Sequence, residues 1–511
     1  MGYKEEKEEF VSGSTGGTVT RINLVCLTAL TTYTLWSVVN ARLAKGNKPS
    51  AWKLASIEFL ILILPLLFAL TLFSDYPLTL NIIISTLAIL LHSLPPPNDI
   101  PPLSPMPDKV SQFSSIARIE VKPFSKPFVT SYRAIMMVMT IICILAVDFP
   151  VFPREFAKAE TWGTSLMDLG VGSFVFSLGV VSSLPLLRQT DQRRPYLKSV
   201  LSSIKKALPI IALGCVRVIM VKGVEYPEHV TEYGVHWNFF FTMALIPVFG
   251  TALEGFATSV DAHWIGLIVS IVHQLLLSFA SLQEWTLEAA RNNLISQNKE
   301  GIVSFPGYLA IHLLGLASGL YILPPDPYFF SIHHQSIPSD APSEVRRKLE
   351  EKRSSKVWRE KPGKLANLLG SYAVVWWVAY YLSISFTGGQ VSRRLANLPY
   401  VLWITAFNTS FLFLYLVVHL VATNYSSASS ASTSPSIHSP PPSTISAPLI
   451  FEAINRNGLV VFLVANLLTG LINVSIETMY SSKFTSILIL VSYCSIVVGV
   501  AWSLRGKRLK I

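Results

Sequence analysis

The sequence predicts an all-α polytopic membrane protein with about thirteen transmembrane helices around a membrane-embedded polar cavity. Of its 511 residues, 51% are hydrophobic and only 14% are charged, whereas soluble domains carry about a quarter charged residues. The apolar runs are typically about 16 to 21 residues long, close to the roughly 20 that a helix needs to cross the hydrocarbon core, and too long for tilted barrel strands. We therefore expect one polytopic domain over residues 1–511.

Thirteen apolar runs define the predicted spans. In chain order they are Ile22 to Val39, Ala55 to Phe73, Thr79 to Leu94, Ala134 to Val147, Ser165 to Leu184, Ala207 to Val221, Phe239 to Phe249, Ile265 to Leu282, Phe305 to Leu323, Leu368 to Phe386, Leu402 to Ala422, Leu459 to Val474 and Phe484 to Leu504.

Basic residues occur in alternate loops, which predicts the orientation in the membrane. They cluster in Arg42–Lys53, Arg188–Lys206, Arg346–Lys364 and Arg505–Lys510, and thirteen spans put all four clusters on one side. The positive-inside rule makes that side cytosolic. We therefore expect a non-cytosolic N-terminus and a cytosolic C-terminus, and a glycan on Asn424 would contradict this orientation. The net charge of +11 is thus explained by topology, and we predict no nucleic-acid partner.

Three long loops interrupt the apolar pattern, and all three are predicted to be cytosolic. Residues 95–128 are rich in proline, residues 324–366 are basic, and residues 423–450 form a Ser/Pro-rich low-complexity segment that cannot bury enough apolar surface to fold. No internal repeat is evident, which weakens the alternative of a secondary transporter built from inverted halves.

Cysteines and standard motifs narrow the function. All four cysteines (Cys26, Cys143, Cys215, Cys494) fall inside predicted spans, and we interpret them as small apolar core residues. The sequence has no Gly-x-Ser-x-Gly elbow, no His-Glu-x-x-His metal site, no Asp-x-Asp pair and no Walker loop. We predict no metal site.

Ionisable residues collect in the loops that share the non-cytosolic face. These loops are 148–164, 222–238, 284–300, 391–400 and 477–483. Asp148 follows a span, where desolvation would raise its pKa and make it a better general base. Lys158 is placed to polarise a carbonyl or to set the charge state of Asp148. The alternatives are that Asp148 caps its loop, that Lys158 is a solvated interfacial charge, and that His236 is the base.

Three further charged residues have two interpretations each. Asp168 lies in the first turn of the fifth span, so it should face the protein interior, although the helix dipole alone would also favour it there. Gly170 and Gly172 follow it and permit close helix approach. Arg393 and Arg394 are suited to clamping a phosphate, but solvated interfacial charge explains them equally well.

Longer motifs carry a resemblance to a known family. They are FVSGSTGGTVTRIN (Phe10 to Asn23), AVDFPVFPREFAKAETWGTSLMDLGVGSFVFS (Ala146 to Ser177), EYPEHVTEYGVHWNFF (Glu225 to Phe240), NKEGIVSFPGY (Asn298 to Tyr308), SRRLANLPYVLW (Ser392 to Trp403) and INRNGLVVFLVANLLTGLIN (Ile454 to Asn473). Together they extend over almost the whole chain. On these segments the sequence resembles the eukaryotic GPI inositol-acyltransferase family.

The resemblance implies a multi-pass enzyme of the endoplasmic reticulum membrane that transfers a palmitoyl group from acyl-CoA to the inositol 2-hydroxyl of glucosaminyl-phosphatidylinositol. Asp148 and Lys158 match the family's catalytic Asp and Lys. Acyl-CoA would be a co-substrate, with no permanently bound cofactor, and membrane lipid would be the other partner. The residues predicted to bind substrate are Arg154, Trp162, Asp168, His236, Asn238, Arg393 and Arg394.

Departures from the family pattern lie mainly outside the loop of Asp148 and Lys158. Arg291 follows Ala290, where an acidic residue can occur, and Lys299 stands where an Arg is usual. Two other function classes remain open: a multi-span lipid transporter or flippase, and a non-catalytic subunit of a GPI-synthesis complex. An acyl-CoA assay separates them from an enzyme, because neither alternative yields acylated lipid.

Overall fold

The computed structural model describes residues 3–43, 49–94, 126–188, 195–222, 230–257, 262–329, 344, 347, 361–430 and 446–509. Within these ranges the regular secondary structure is helical, and the one extended pairing is an isolated bridge between Gly17 and Thr164. The helices have the bounds α1 Tyr3–Val11, α2 Val19–Leu43, α3 Ala51–Glu58, α4 Leu64–Leu70, α5 Pro77–Ser93, α6 Pro127–Ala146, α7 Leu166–Ser182, α8 Leu184–Arg188, α9 Tyr196–Lys222, α10 Val230–Tyr233, α11 Phe239–Ala257, α12 Ala262–Phe279, α13 Leu282–Glu288, α14 Leu294–Gln297, α15 Lys299–Ile322, α16 Pro362–Phe386, α17 Leu398–Ser430, α18 Leu449–Arg456, α19 Gly458–Ser475 and α20 Lys483–Ser503.

The apolar helices follow the order of the predicted spans, and the predicted count of thirteen is approximate. In the described part of the chain, 11 helices are long and apolar enough to cross a membrane; one of them, Ala51–Leu70, joins α3 to α4 through a π-helical turn. Two shorter apolar helices, Pro77–Ser93 and Phe239–Leu253, lie at the third and seventh predicted spans. Each predicted span therefore coincides with an apolar helix, and the prediction of a polytopic all-α membrane protein is confirmed.

Several helices extend beyond the predicted spans into polar sequence. The α9 helix begins at Tyr196, well before the predicted Ala207, because lysines in its first turns are compatible with helix although they lower the hydropathy. The α16 helix begins at Pro362 and α17 continues to Ser430. The predicted loops 324–366 and 423–450 are therefore shorter at those ends, and α18 begins at Leu449 inside the second. Residues 95–125 of the proline-rich loop lie outside the described residues.

The long helices form a central group and a peripheral group. The apolar window of α15 is 83% buried, and this helix packs on α7, α11, α12 and α17. The window of α9 is only 11% buried. Because lipid is as apolar as a protein core, an exposed apolar helix of this kind is expected to face the bilayer.

Glycines allow the closest helix contacts. A Cβ on Gly179 of α7 would lie 2.1 Å from the backbone carbonyl oxygen of His312 in α15, and a Cβ on Gly315 would lie 2.2 Å from that of Phe176. Only glycine fits such approaches. The predicted close approach at Gly172 is also present, since a Cβ there would lie 2.5 Å from Ile404 of α17, whereas Gly170 has only ordinary contacts.

The cysteine prediction is correct for three residues and wrong for one. Cys26, Cys143 and Cys494 are buried, whereas Cys215 is exposed. The reason is that Cys215 lies on α9 at the periphery of the bundle, where an apolar side chain faces outward.

Candidate functional site

The loops that the sequence assigns to one face contact one another at one end of the helix bundle, which we call the site end. Loop 148–164 reaches loop 222–238 through an ion pair between Lys158 and Glu232 at 2.6 Å. Loop 391–400 reaches the 284–300 segment through Arg394 and Glu300 at 2.8 Å. These residues are far apart in sequence, so their contacts confirm that the loops share one end.

Loop 148–164 is fixed by the segment that precedes α2. The backbone N–H of Gly17 donates to the Thr164 carbonyl at 2.7 Å, and the Thr164 hydroxyl donates to the Gly17 carbonyl at 2.7 Å. Gly16 has φ +75°, and a Cβ there would lie 2.2 Å from the Thr164 carbonyl oxygen. The Ser14 hydroxyl donates to the Arg154 carbonyl at 2.9 Å. This explains why glycine is needed at position 16.

Asp148 lies immediately after α6 and is almost completely buried, at 2% exposure. The side-chain amide of Asn473 donates to its Oδ2 at 2.8 Å, and Lys7 Nζ lies 3.6 Å from Oδ1. Burial raises the pKa of Asp148 above its ordinary value of 3.8, while Lys7, Asn473 and Arg154 oppose this rise. The shift has the direction predicted from the position of Asp148 at the end of a span, and it increases proton affinity.

Arg154 holds the backbone of this loop. Its Nη2 donates to the carbonyl oxygens of Val147 at 2.6 Å and Phe152 at 3.2 Å. The guanidinium lies 4.2 Å from the ring centroid of Phe10 on α1. Burial lowers the pKa of Arg154 to about 10, and Asp148 opposes this. In this arrangement Arg154 stabilises the loop around Asp148, and its predicted contact with substrate stays a prediction.

Lys158 belongs to a second group of charges. Its partner Glu232 also lies 3.3 Å from Arg393 Nη1, and Arg393 Nε donates to Asp168 Oδ1 at 2.6 Å. Burial raises the pKa of Glu232, but Lys158 and Arg393 outweigh it and lower the value to about 2. Burial lowers the pKa of Arg393, but Glu232 and Asp168 outweigh it and raise the value well above the ordinary one. The side chains thus form an alternating series of opposite charges.

Asp168 faces the protein interior, as predicted. Its side chain is fully buried, and its Oδ2 accepts from the Ala159 backbone N–H at 3.1 Å. Ser165 caps α7 by accepting from the Asp168 N–H at 3.1 Å, and the Tyr400 hydroxyl donates to the Asp168 carbonyl at 2.8 Å. Asp168 thereby joins α7, the loop of Lys158 and the start of α17.

A third group surrounds Glu300, which is fully buried at the start of α15. Arg394 Nη2 donates to it at 2.8 Å, and Arg291 donates to both carboxylate oxygens at 2.5 Å and 3.0 Å. Arg393 and Arg394 are therefore buried and paired with carboxylates. The interpretation of both residues as solvated interfacial charges does not fit this structure. Their use as a phosphate clamp stays a prediction.

The whole chain can be compared with known proteins. A family model described as GWT1 matches residues 3–504. The chain belongs to the GWT1 family. Three curated relatives are each named GPI-anchored wall transfer protein 1. The relative from Aspergillus fumigatus is 40% identical over 533 residues, with 100% of this chain and 99% of the relative covered. The relative from Gibberella zeae is 38% identical over 523 residues, with 100% and 98% covered. The relative from Cryptococcus neoformans var. grubii is 36% identical over 628 residues, with 100% of both covered.

In this GWT1 family member, Asp148 and Lys158 lie in separate charge groups. Among the described residues, no ion pair links them: the cation nearest Asp148 is Lys7, and the partner of Lys158 is Glu232. No direct contact therefore supports the prediction that Lys158 sets the charge state of Asp148. The side chain of Lys158 remains 36% exposed.

The remaining predicted residues of this GWT1 family member shape the surrounding loops. The backbone N–H groups of His236 and Trp237 donate to Asn298 Oδ1 at 2.9 Å and 2.8 Å. Asn238 donates to the Gly214 carbonyl at 2.9 Å and accepts from the N–H of Phe240. Asn238 thus caps α11 in this structure. Trp162 is partly buried and packs against a small cluster of Leu277, Val303 and Leu395.

Four residues of these groups were not recognised from the sequence: Lys7, Glu232, Glu300 and Asn473. Glu232 and Glu300 lie in loops already assigned to the site end, so their position was a usable signal. Asn473 ends one of the family-like motifs. Lys7 lies in an acidic segment where nothing local points to a buried contact.

An open cavity of about 380 Å³ lies at the ends of α12 and α16. Amides and hydroxyls dominate its lining, with Gln274, Ser281, Gln390 and Asn397 among them. It occupies the helix ends, and the predicted polar cavity inside the membrane stays a prediction. In the described part of the chain, no group of three or more His, Cys, Asp or Glu side chains is placed to hold a metal ion.

Proposed function

We propose that this GWT1 family member is a membrane O-acyltransferase of GPI-anchor biosynthesis. It transfers a palmitoyl or similar long-chain acyl group from acyl-CoA to the inositol 2-hydroxyl of glucosaminyl-phosphatidylinositol, in the endoplasmic reticulum membrane, with its N-terminus lumenal and its C-terminus cytosolic. Membership in the family implies a role in GPI-anchor biosynthesis. The observation that supports the chemistry is the buried Asp148 carboxylate, whose raised pKa suits a general base.

In the proposed reaction the inositol 2-hydroxyl gives its proton to Asp148 as its oxygen attacks the thioester carbonyl. A carbon–oxygen bond forms, the carbon–sulfur bond breaks, and the proton passes from Asp148 to the departing CoA thiolate. The negative charge that develops on the carbonyl oxygen needs a cation, and an ammonium in a partly desolvated site stabilises it well.

Lys158 is the proposed source of that cation. Its ion pair with Glu232 is partly exposed, so the ammonium can exchange this partner for the thioester oxygen without leaving a deeply buried carboxylate unpaired, because Glu232 keeps Arg393 at 3.3 Å. The role of Lys158 is therefore independent of any contact with Asp148.

The test is acyl transfer by the purified protein in detergent, with palmitoyl-CoA and glucosaminyl-phosphatidylinositol, followed by mass spectrometry of the lipid. General base catalysis contributes about 10²- to 10⁴-fold, so Asp148→Asn should lose at least that much, and Lys158→Ala should also be inactive. Asp75→Asn is the matched control, because this carboxylate is 73% exposed at the same end of the bundle.

Each result decides between the candidate functions. Near-normal turnover in Asp148→Asn or Lys158→Ala would refute the mechanism. A dead His236→Ala with a merely slow Asp148→Asn would make His236 the base. Wild-type protein that forms no acylated lipid would point to a transporter or to a non-catalytic subunit.

A further inference from the structure

A buried lysine reaches Asp148 from the N-terminal helix. The α1 helix, YKEEKEEFV, is strongly acidic, and its single described lysine side chain, Lys7, is only 7% exposed. Burying an ammonium is costly unless it is paired and hydrogen-bonded. The contacts of Lys7 therefore indicate why its ammonium is buried.

Lys7 and Asp148 are joined both directly and through Asn473. Lys7 Nζ donates to Asn473 Oδ1 at 2.9 Å and lies 3.5 Å from Thr478 Oγ1. Asn473 Nδ2 in turn donates to Asp148 Oδ2 at 2.8 Å. Lys7 Nζ lies 3.6 Å from the other oxygen, Oδ1. Both oxygens of the carboxylate therefore face a donor, and its orientation is fixed.

Contacts along α1 hold Lys7 in this position. The rings of Tyr3 and Tyr480 lie 5.8 Å apart, and the Tyr480 hydroxyl donates to Glu6. At the other end of the helix, Phe10 lies under the guanidinium of Arg154. Three successive turns of α1, at Tyr3, Glu6 and Phe10, thus contact the loops that surround Asp148.

We propose that Lys7 is a positioning residue that keeps Asp148 ionised and correctly oriented for proton abstraction. This inference rests on the proposed function and deepens it, because it assigns to Lys7 the role that the sequence suggested for Lys158. Among the described residues, the charged groups that act on Asp148 are Lys7 from α1 and Arg154 from its own loop. Arg154 donates to backbone carbonyls, so Lys7 is the cation in direct contact.

The experiment measures acyl transfer against pH for Lys7→Met, Lys7→Arg and wild type. An opposite charge within about 4 to 6 Å lowers a carboxyl pKa by about 1 to 3 units. Without Lys7 the acid limb of the kcat profile should therefore move to higher pH by about one unit or more, with KM for palmitoyl-CoA little changed. Lys7→Arg should restore most of the wild-type profile. Glu8→Gln is the matched control, since Glu8 is an exposed neighbour on the same helix.

Stability supplies a second readout if Lys7→Met folds poorly. Removing Lys7 alone leaves a buried carboxylate without its cation, whereas Lys7→Met/Asp148→Asn removes both charges. The double variant should therefore unfold at a higher temperature than Lys7→Met. An unchanged pH profile in Lys7→Met, or a double variant no more stable than the single one, would overturn the role of Lys7.

The two proposals fail in different ways. Full activity in Asp148→Asn would refute the proposed mechanism whatever Lys7 does. A dead Asp148→Asn together with a normal Lys7→Met would leave the proposed function standing and refute only the inference about Lys7.

Discussion

Asp148 and Glu232 are two carboxylates at the same end of the bundle, and their surroundings differ in the number and distance of cations. Glu232 has Lys158 at 2.6 Å and Arg393 at 3.3 Å. Asp148 has a neutral amide at 2.8 Å and one ammonium at 3.6 Å. Burial determines the pKa shift of Asp148, which is upward, whereas ion pairing determines that of Glu232, which is downward.

This difference separates a reactive carboxylate from a structural one. A general base must bind a proton during the reaction, and a carboxylate with a raised pKa does so more readily. Glu232, with a pKa of about 2, is a poor base and a good anchor for the cations beside it. We therefore expect changes at Glu232 and Arg393 to affect mainly stability and changes at Asp148 to affect mainly activity.

Arg393→Met should have the largest effect on stability. It would leave Asp168, which is fully buried, without its cation at 2.6 Å, and breaking a buried ion pair costs about 3 to 5 kcal/mol. Thermal unfolding in detergent measures this loss. The matched control is Arg21→Met, whose partners Asp75 and Glu155 are partly exposed, so it should cost about 1 kcal/mol or less.

A second variant separates lost charge pairing from lost packing at the same site. Arg393→Met/Asp168→Asn removes the unpaired charge and should recover part of the stability lost in Arg393→Met. If Arg393→Met were no less stable than Arg21→Met, Arg393 would not be a structural anchor and the comparison would fail.

The sequence predicted the helices well because hydropathy is a local signal. In the described part of the chain, eleven predicted spans coincide with helices long enough to cross a membrane and two with shorter apolar helices, since a helix satisfies its backbone hydrogen bonds internally. Boundaries were less accurate where a helix continues into polar sequence, as α9 does from Tyr196. Hydropathy reports where a helix crosses lipid, and it carries no information on where the helix begins.

The partners of the site residues were not predictable from local sequence. Asn473 and Asp148 are 325 positions apart, and Lys158 and Glu232 are 74 apart. Composition and spacing left Asp148 and Lys158 as two among several ionisable residues, and only the resemblance singled them out. Charge pairing across the bundle depends on tertiary packing, so it required the structure.

Glu232→Gln should change the response of stability to acid. The pKa of Glu232 is lowered from its ordinary 4.5 to about 2, so its contribution is complete above pH 4.5 and is lost as the pH falls toward 2. Linkage gives a loss of about 2 kcal/mol in the wild type by pH 3. Unfolding temperatures between pH 6 and pH 3 should therefore fall less steeply in Glu232→Gln.

The sign of this effect tests the comparison with Asp148. A raised pKa acts the other way, because any stability contributed by a neutral Asp148 carboxyl is lost as the pH rises through its folded value. Asp148→Asn should therefore not flatten the acid response as Glu232→Gln does. If both variants flattened the acid response of the unfolding temperature equally, the pKa values of Asp148 and Glu232 would not be shifted in opposite directions.

Lys158→Met should have the smallest effect on stability, although Lys158 belongs to the stabilising group. Its side chain is 36% exposed, so water can replace part of the lost ion pair, while Glu232 keeps Arg393 as a partner. The unfolding temperature should therefore remain close to that of wild type while acyl transfer is lost, and Lys158→Arg should be as stable as wild type. A destabilisation as large as that of Arg393→Met would place Lys158 in the rigid scaffold, because an ammonium that the fold depends on could not leave Glu232 to meet a thioester oxygen.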